Sequence, residues 1–321
     1  MSIDAEAIAD RRRLRRKLSF WRVAGLAGLI AAVAALGYAA ADRAGYRGVQ
    51  EQVARISVGG VITGNQRLAD LMERVGEAKS VSGVVISINS PGGTTTGSEE
   101  LYRNIRRLAE KKPLVAFVDG TAASGGYITA IASDYIVARE TALVGSVGVL
   151  IQFPDLSGLL GQVGVKVEEV KSSPLKAEPS PFRPPSPEGR AALQQVVDDT
   201  YVWFKTLVRE RRRLNEAELE SASTGQVFSG RQSVPMKLVD RIGGERDAIA
   251  WLEQEKGVRK NLPVRDWKPR SDSDFSVFAM AAMGADLLGF EGAADALRRT
   301  AANARAVQLD GLLAVWQPLE K

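Results

Sequence analysis

The chain has 321 residues, 45% of them apolar and 25% charged, enough for one large domain or two small ones around a sizeable buried core. It has no cysteine and no histidine, which excludes disulfides, a thiolate nucleophile and a Ser-His-Asp triad and leaves zinc only an unusual all-oxygen shell. The net charge of +5 is concentrated at the start, where Arg11, Arg12, Arg13, Arg15, Arg16 and Lys17 stand against Asp4, Glu6 and Asp10; the remainder has no basic stripe or motif of the nucleic-acid-binding kind, so no nucleic-acid partner is expected.

The basic tail, residues 1–22, runs into "VAGLAGLIAAVAALGYAAA" (23–41), which carries no charge. At ~1.5 Å per residue this stretch spans about 28 Å, close to the hydrocarbon core of a bilayer. Trp21 sits at its edge. The positive-inside rule then puts the tail in the cytoplasm and everything after the segment on the outer, periplasmic or extracellular, side of the cytoplasmic membrane. A cleaved signal peptide shares the basic start and the small residues of "YAAADRAG", but its apolar part usually runs only about 7–15 residues. A core helix of this length without a polar face is rare. The expectation is a single transmembrane anchor over 23–41, with those two rivals.

Further along, "VARISVGGVI" (Val53–Ile62) predicts a strand with a glycine break, and Gln66–Lys79 has helical apolar spacing. "GVVISINSPGG" (Gly83–Gly93) is a β-branched strand ending in a Pro-Gly-Gly turn. An amphipathic helix follows over Thr96–Lys112, then a strand over Pro113–Gly120. The segment after Ser124 is apolar and helical in length, and "DYIVA" makes a short strand. Gly145–Lys171 reads as loop, strand, short helix and strand. Six prolines make the next stretch an extended loop. A long helix is predicted from about Ser186, with Pro187 in its first turn, to Arg213. A strand, a short helix, a glycine turn and a closing helix fill 225–257. Alternating strands and helices argue for an α/β fold with a mainly parallel sheet, placed in one domain over 45–268. The alanine- and leucine-rich residues 269–321 form an extension of unassigned role.

The chemistry gathers around "DGTAASGGYITA" (Asp119–Ala130). A serine at a helix start sits where free backbone N–H groups and the helix dipole favour negative charge. Two N–H groups aimed at one oxyanion are typical of acyl-transfer sites. Gly93 and Gly125 could supply them, because glycine lets backbone approach a ligand closely. Without histidine, the base for Ser124 is a lysine or a carboxylate. A lysine serves only if its pKa falls from about 10.4 toward 7–8, by burial or a nearby cation. Lys171 and Lys176 flank the proline-rich loop, and Lys176 has the less charged surroundings; Glu178 would oppose it unless it points away. Read alone, Ser124 and Ser146 are equally turn or cap serines, and Lys176 a surface lysine.

Taken in order, "NSPGG" (89–93), "GTAASGGY" (120–127), "GSVGV" (145–149), "KSSPLKAEPSPFRPPSPE" (171–188) and "TGQVFSGRQSVPMKLVDRIGG" (224–244) resemble the signal peptide peptidase A family, Ser-Lys membrane proteases related in fold to the Clp protease subunit and the crotonases. The resemblance implies repeated β-β-α units around a mainly parallel sheet. It implies Ser124 as nucleophile, Lys176 as general base, Ser146 orienting the lysine amine, and Gly93 with Gly125 as the oxyanion hole. It also implies peptide substrates that are remnants of signal peptides, no cofactor, and a ring- or bowl-shaped homo-oligomer. "SVPMKLVDRIGG" departs from the family, which usually has small residues and a glycine before Leu-Val-Asp. The alternatives are a related membrane protease acting on another membrane protein, such as a stomatin-like one, a crotonase-like acyl-CoA enzyme, and a catalytically silent scaffold.

Overall fold

Apolar residues alternating along the chain build one eight-stranded sheet with a core on each face. The computed structural model describes residues 50–269, with scattered positions between 17 and 28 and Gly292. The chain divides into two units, Met1–Lys268 and Pro269–Lys321. The basic tail, the expected anchor and the 269–321 extension lie almost wholly outside the described residues. Among the described residues no helix is long and apolar enough to cross a membrane.

The strands are β1 (Gln52–Ile62), β2 (Val81–Gly93), β3 (Leu114–Ala123), β4 (Tyr135–Ala138), β5 (Leu143–Gly145), β6 (Val227–Ser229), β7 (Arg241–Ile242) and β8 (Val264–Asp266). The helices are α1 (Gln66–Glu77), α2 (Thr95–Lys111), α3 (Gly125–Ile131), α4 (Ser157–Gln162), α5 (Pro187–Arg212), α6 (Glu216–Ala222), α7 (Gly230–Ser233) and α8 (Glu245–Glu255). The sheet runs β6-β5-β3-β2-β1-β8, with β4 also on β3 and β7 on β4. Every pairing is parallel except β5 with β6.

Period-two alternation sorts the strand side chains between two cores. Ala54, Ile56, Val84, Ile86, Ile88, Leu114, Ala116 and Ile136 face the larger one, with α1, α2, α3 and α5. Val53, Val85, Val115, Phe117 and Val137 face the smaller one, with Ala248 and Leu252 of α8. β2 and β3, buried on both faces, carry the apolar runs Val84–Ile86 and Leu114–Val118, as in a covered parallel sheet. The helix starts are capped as their sequences allow. Asn65 accepts from Leu68 N, Thr94 from Gly97 N, and Ser186 from Gly189 N, with Pro187 at the first helical position.

The mixed α/β class and the mainly parallel sheet agree with the sequence reading. The β-β-α repetition does not describe the element order: one strand and one helix alternate through β4, because each parallel neighbour needs a crossover. Only β4 and β5 follow each other without a helix between them. Both extend the same edge of β3, β4 along Val115–Val118 and β5 along Thr121–Ala123. The strands expected within 145–171 are absent: apart from α4, residues 146–171 are irregular. Leu150, Ile151, Val163, Val165, Val167 and Val170 are exposed there, with no sheet edge to pair against. α6, β7 and β8 were not anticipated from sequence.

Arg212 locks the end of α5 to the sheet. Its side chain is 9% exposed, and the guanidinium donates to both carboxylate oxygens of Asp240 at 2.7 and 3.0 Å and, through Nε, to Lys237 O at 2.6 Å. Asp240 also accepts from Ile136 N of β4 at 2.8 Å. Arg212→Ala would leave that carboxylate without its cation. The expected loss is about 2–3 kcal/mol, read as a lowered midpoint in urea unfolding with an unchanged slope.

Candidate active site

Four of the five residues singled out from sequence lie at the carboxyl ends of adjacent strands. β3 ends at Ala123 and α3 begins at Gly125, so Ser124 alone makes the turn, with φ 52° and ψ −118°. A non-glycine residue in that region is strained, and such strain persists only where the surroundings enforce it. Here they do. Ser124 N donates to Gly145 O at 2.8 Å, and Ser124 O accepts from Tyr127 N and Ile128 N at 2.9 and 3.0 Å. α3 itself is apolar on all sides and buried throughout. Tyr127 fixes it from below, its hydroxyl donating to Leu238 O at 2.9 Å. Burial pushes that phenol's pKa up, so it stays protonated as a donor. Ser124 makes no side-chain cap to its own helix, and its half-buried hydroxyl has no hydrogen-bond partner among the described residues.

Ser146 sits beside it. β3 and β5 pair with Ala123 opposite Gly145, which sets Ser146 next to Ser124 at the end of the neighbouring strand. Ser146 repeats the positive φ, 52°, and its N–H donates to Gln226 O at 2.7 Å.

On the other side of Ser124 comes the turn that ends β2. A Cβ at Gly92 (φ 108°) would fall 2.9 Å from both Gly125 N and Ser124 Cβ. A Cβ at Gly125 would fall 3.2 Å from Gly93 N and 2.1 Å from Ser98 Oγ. The two backbones therefore touch with no side chain between them. Gly125 N–H is the first of α3 and has no intrahelical acceptor. Gly92 breaks the strand with its positive φ, and the N–H of Gly93 that follows lies close against Gly125. Two backbone amides, those of Gly93 and Gly125, thus stand beside the serine turn, where such groups can hold a developing oxyanion.

Three supporting residues were not singled out from sequence. Ser90 Oγ donates to Gly60 O at 2.7 Å and accepts from Gly92 N at 3.1 Å, fixing the glycine turn against the bulge of β1. Asn89 Oδ1 accepts from Thr121 N at 3.1 Å and joins β2 to β3. Ser98 Oγ donates to Thr94 O at 2.8 Å and packs under Gly125. A signal for Ser98 existed: it shares the buried face of α2 with Leu101, Ile105 and Leu108, an odd place for a hydroxyl.

Lys176 is placed differently. It lies exposed on the turn Pro174–Ala177, with Ala177 at φ 61°, and no contact joins it to Ser124. Its ammonium has no hydrogen-bond or ion-pair partner among the described residues. Glu178 points away from it into the protein, 3% exposed, and pairs with Lys171 and Arg183. Among the described residues no cluster of three or more acidic side chains is placed to hold a metal ion.

Gly125→Ala drives a methyl group into Ser98 and should cost about 1–3 kcal/mol. Ser98→Ala should recover most of that loss when added to it. A double-mutant cycle by urea unfolding measures the coupling; additive losses would mean that the two residues do not press on each other.

Comparison with known proteins places the chain in a family. The family described as Peptidase family S49 matches residues 106–259. A protein of Enterococcus faecium whose name places it with the signal peptide peptidases, SppA, is 31% identical over 256 residues, covering 75% of this chain and 73% of its own. A protein of Synechocystis named as a protease is 36% identical, covering 65% of this chain and 76% of its own. Another named as a protease, from Methanocaldococcus jannaschii, is 38% identical over 189 residues, 59% of this chain. This chain spans 61% of that relative's length, less than two thirds. With its strained serine turn and paired glycine amides inside or beside the matched region, the chain belongs to peptidase family S49.

Proposed function

We propose that this chain is a serine endopeptidase working through Ser124 and Lys176, anchored in the cytoplasmic membrane by residues 23–41, with its catalytic domain on the outer side. The observation that carries the reading is Ser124 held at φ 52° on a helix start beside Gly93 and Gly125, in a chain with no histidine. Ser124 Oγ attacks the scissile carbonyl carbon while Lys176 Nζ takes the hydroxyl proton. Gly93 N–H and Gly125 N–H receive the oxyanion, and Ser146 orients the lysine amine. Collapse breaks the C–N bond, and the lysine returns its proton to the leaving amine. Water, deprotonated by the same lysine, then cleaves the acyl-enzyme. The fold proposed is the Clp protease/crotonase type. No cofactor enters any of these steps.

The proposed substrates are signal-peptide remnants left in or beside the membrane. Support comes from the name of the Enterococcus relative and from the apolar segment at 23–41. A homo-oligomer is proposed because the arm over residues 146–177 has no core of its own. Leu150 and Val163 are 77% and 66% exposed, and α4 buries none of its residues. Surface of that kind marks an interaction site, and a neighbouring copy would also take the base out of water, as a lysine base needs.

The test is hydrolysis of a leucine- and alanine-containing fluorogenic peptide by the full chain in detergent. Ser124→Ala and Lys176→Ala should each lower kcat/KM by at least about 10³-fold with folding and assembly unchanged. Wild-type activity should rise with pH over the range 6 to 10, because the proposed base acts in its neutral form. Cleavage that survives Lys176→Ala would reassign the base, and a flat pH profile would oppose any lysine base.

A further inference from the structure

The stretch that carries Lys176 is tied at its root by four charges in a closed ring. Lys171 Nζ lies 2.8 Å from Glu169 Oε2 and 3.3 Å from Glu178 Oε1. Arg183 pairs with that same Glu178 oxygen and reaches Glu169 at 3.3 Å. Signs alternate around the ring, so its net charge is zero. Glu169 and Lys171 precede the turn and Glu178 and Arg183 follow it; the ring therefore clasps both ends of the segment presenting Lys176. Ser180 Oγ donates to Glu169 at 2.7 Å as a further tie. The hydrogen bond from Lys171, then those from Ser180 and Arg183, hold the Glu169 carboxyl down to about 2.

Glu178 is the member that matters to the base. It stands two residues from Lys176, nearer in sequence than any other carboxylate. In the extended or turn conformations of a loop it could lie against that ammonium and hold the proton there. Instead its side chain is 3% exposed. Oε1 takes both cations, and Oε2 is buried with no hydrogen-bond partner. A Cβ at Gly189 would fall 3.0 Å from that second oxygen, so the carboxylate packs on the first turn of α5, where the helix dipole favours negative charge. The hollow beside the ring is also lined by Glu188 and Ser186 of α5. Glu188 is the one further charged group facing it.

We propose that the ring Glu169–Lys171–Glu178–Arg183 is a positioning device for the general base: it fixes the turn that presents Lys176 and keeps Glu178 occupied, so that no carboxylate retains the lysine's proton. This rests on the reading of Lys176 as the base. None of the four ring residues touches substrate; they act through Lys176 alone.

The experiment is the pH profile of kcat/KM for the full chain in detergent. Arg183→Met takes away one of the two cations on Glu178 and frees that carboxylate to turn toward Lys176. The acid limb should move to higher pH by about 0.5–1 unit. Loss of a cation raises the limb by itself, so the deciding variant is Arg183→Met with Glu178→Gln, which removes one charge of each sign and leaves no free carboxylate. Its limb should return to the wild-type position. Arg183→Lys, which keeps the charge, should also stay near wild type. Lys171→Met repeats the first test through the other cation, should Arg183→Met not fold. A limb that stays fixed in the single variants overturns the proposal, as does one that remains displaced in the double variant. A uniform loss of rate without any shift would mean that the ring only holds the loop together. If Lys176→Ala keeps its activity, the base itself is wrong, and that result is separate from any movement of the limb.

Discussion

Backbone-to-backbone contact between the turn ending β2 and the start of α3 is the constraint on which the site depends. Two peptide groups can border one serine hydroxyl only if nothing thicker than a hydrogen atom lies between the chains. Gly92 and Gly126 meet that demand directly, since a Cβ on either would fall within 3 Å of the opposite chain, while Ile62 of β1 and Ser98 of α2 leave no room for one at Gly93 and Gly125. Only at Gly92 does the backbone angle itself also favour glycine; at the others the requirement is purely one of space. The bulge in β1 at Gly60 belongs to the same solution, because it offers Ser90 a carbonyl at the point where the turn must be held.

The sheet supplies rigidity to one half of the proposed site. β3 is long enough to take two partners on one edge, and the short step from β4 to β5 along that edge carries Ser146 to the level of Ser124. A buried helix below and a paired strand on each side leave the serine turn little freedom, which is why the strained φ can be kept. The arm bearing Lys176 is built on the opposite principle. It has no buried apolar face, and charge pairing rather than a core fixes its root. Apolar burial can hold a residue within a domain, but it cannot present one beyond the domain's own surface.

How much of this was legible in sequence follows from the range of the interactions involved. β2 was readable because its burial on both faces is written as the β-branched run Val84–Ile86, and β1 and β3 from their apolar residues bounded by turn signals. α1 and α2 were readable from spacing, and α5 from Ser186 with Pro187 at its start; the caps Asn65 and Thr94 emerge only in the structure. β7 and β8, with two and three residues, have no pattern of their own and exist through their neighbours β4 and β1. The false strands within 146–171 show the converse: valine and leucine runs have strand propensity, but a strand also needs an edge. At the site, the glycines and Ser124 stood out as a local motif. Ser98 and Ser90 act across the fold on partners that only the register brings near.

On the proposed Ser124–Lys176 reading, the absence of histidine accounts for the two halves being so differently built. In a Ser-His-Asp triad the base has a pKa near neutrality, and a carboxylate is an asset that orients the ring and stabilises its cation. A lysine base begins from about 10.4, so the same carboxylate would be a defect, holding the proton that the base must lose. A Ser-Lys site therefore needs an orienting group without charge, for which a hydroxyl such as that of Ser146 is suited. It also needs every nearby carboxylate engaged elsewhere. In this chain the one nearest Lys176 in sequence, Glu178, is turned inward onto two cations and a helix start. What a triad achieves by adding a carboxylate, this arrangement must achieve by keeping one away.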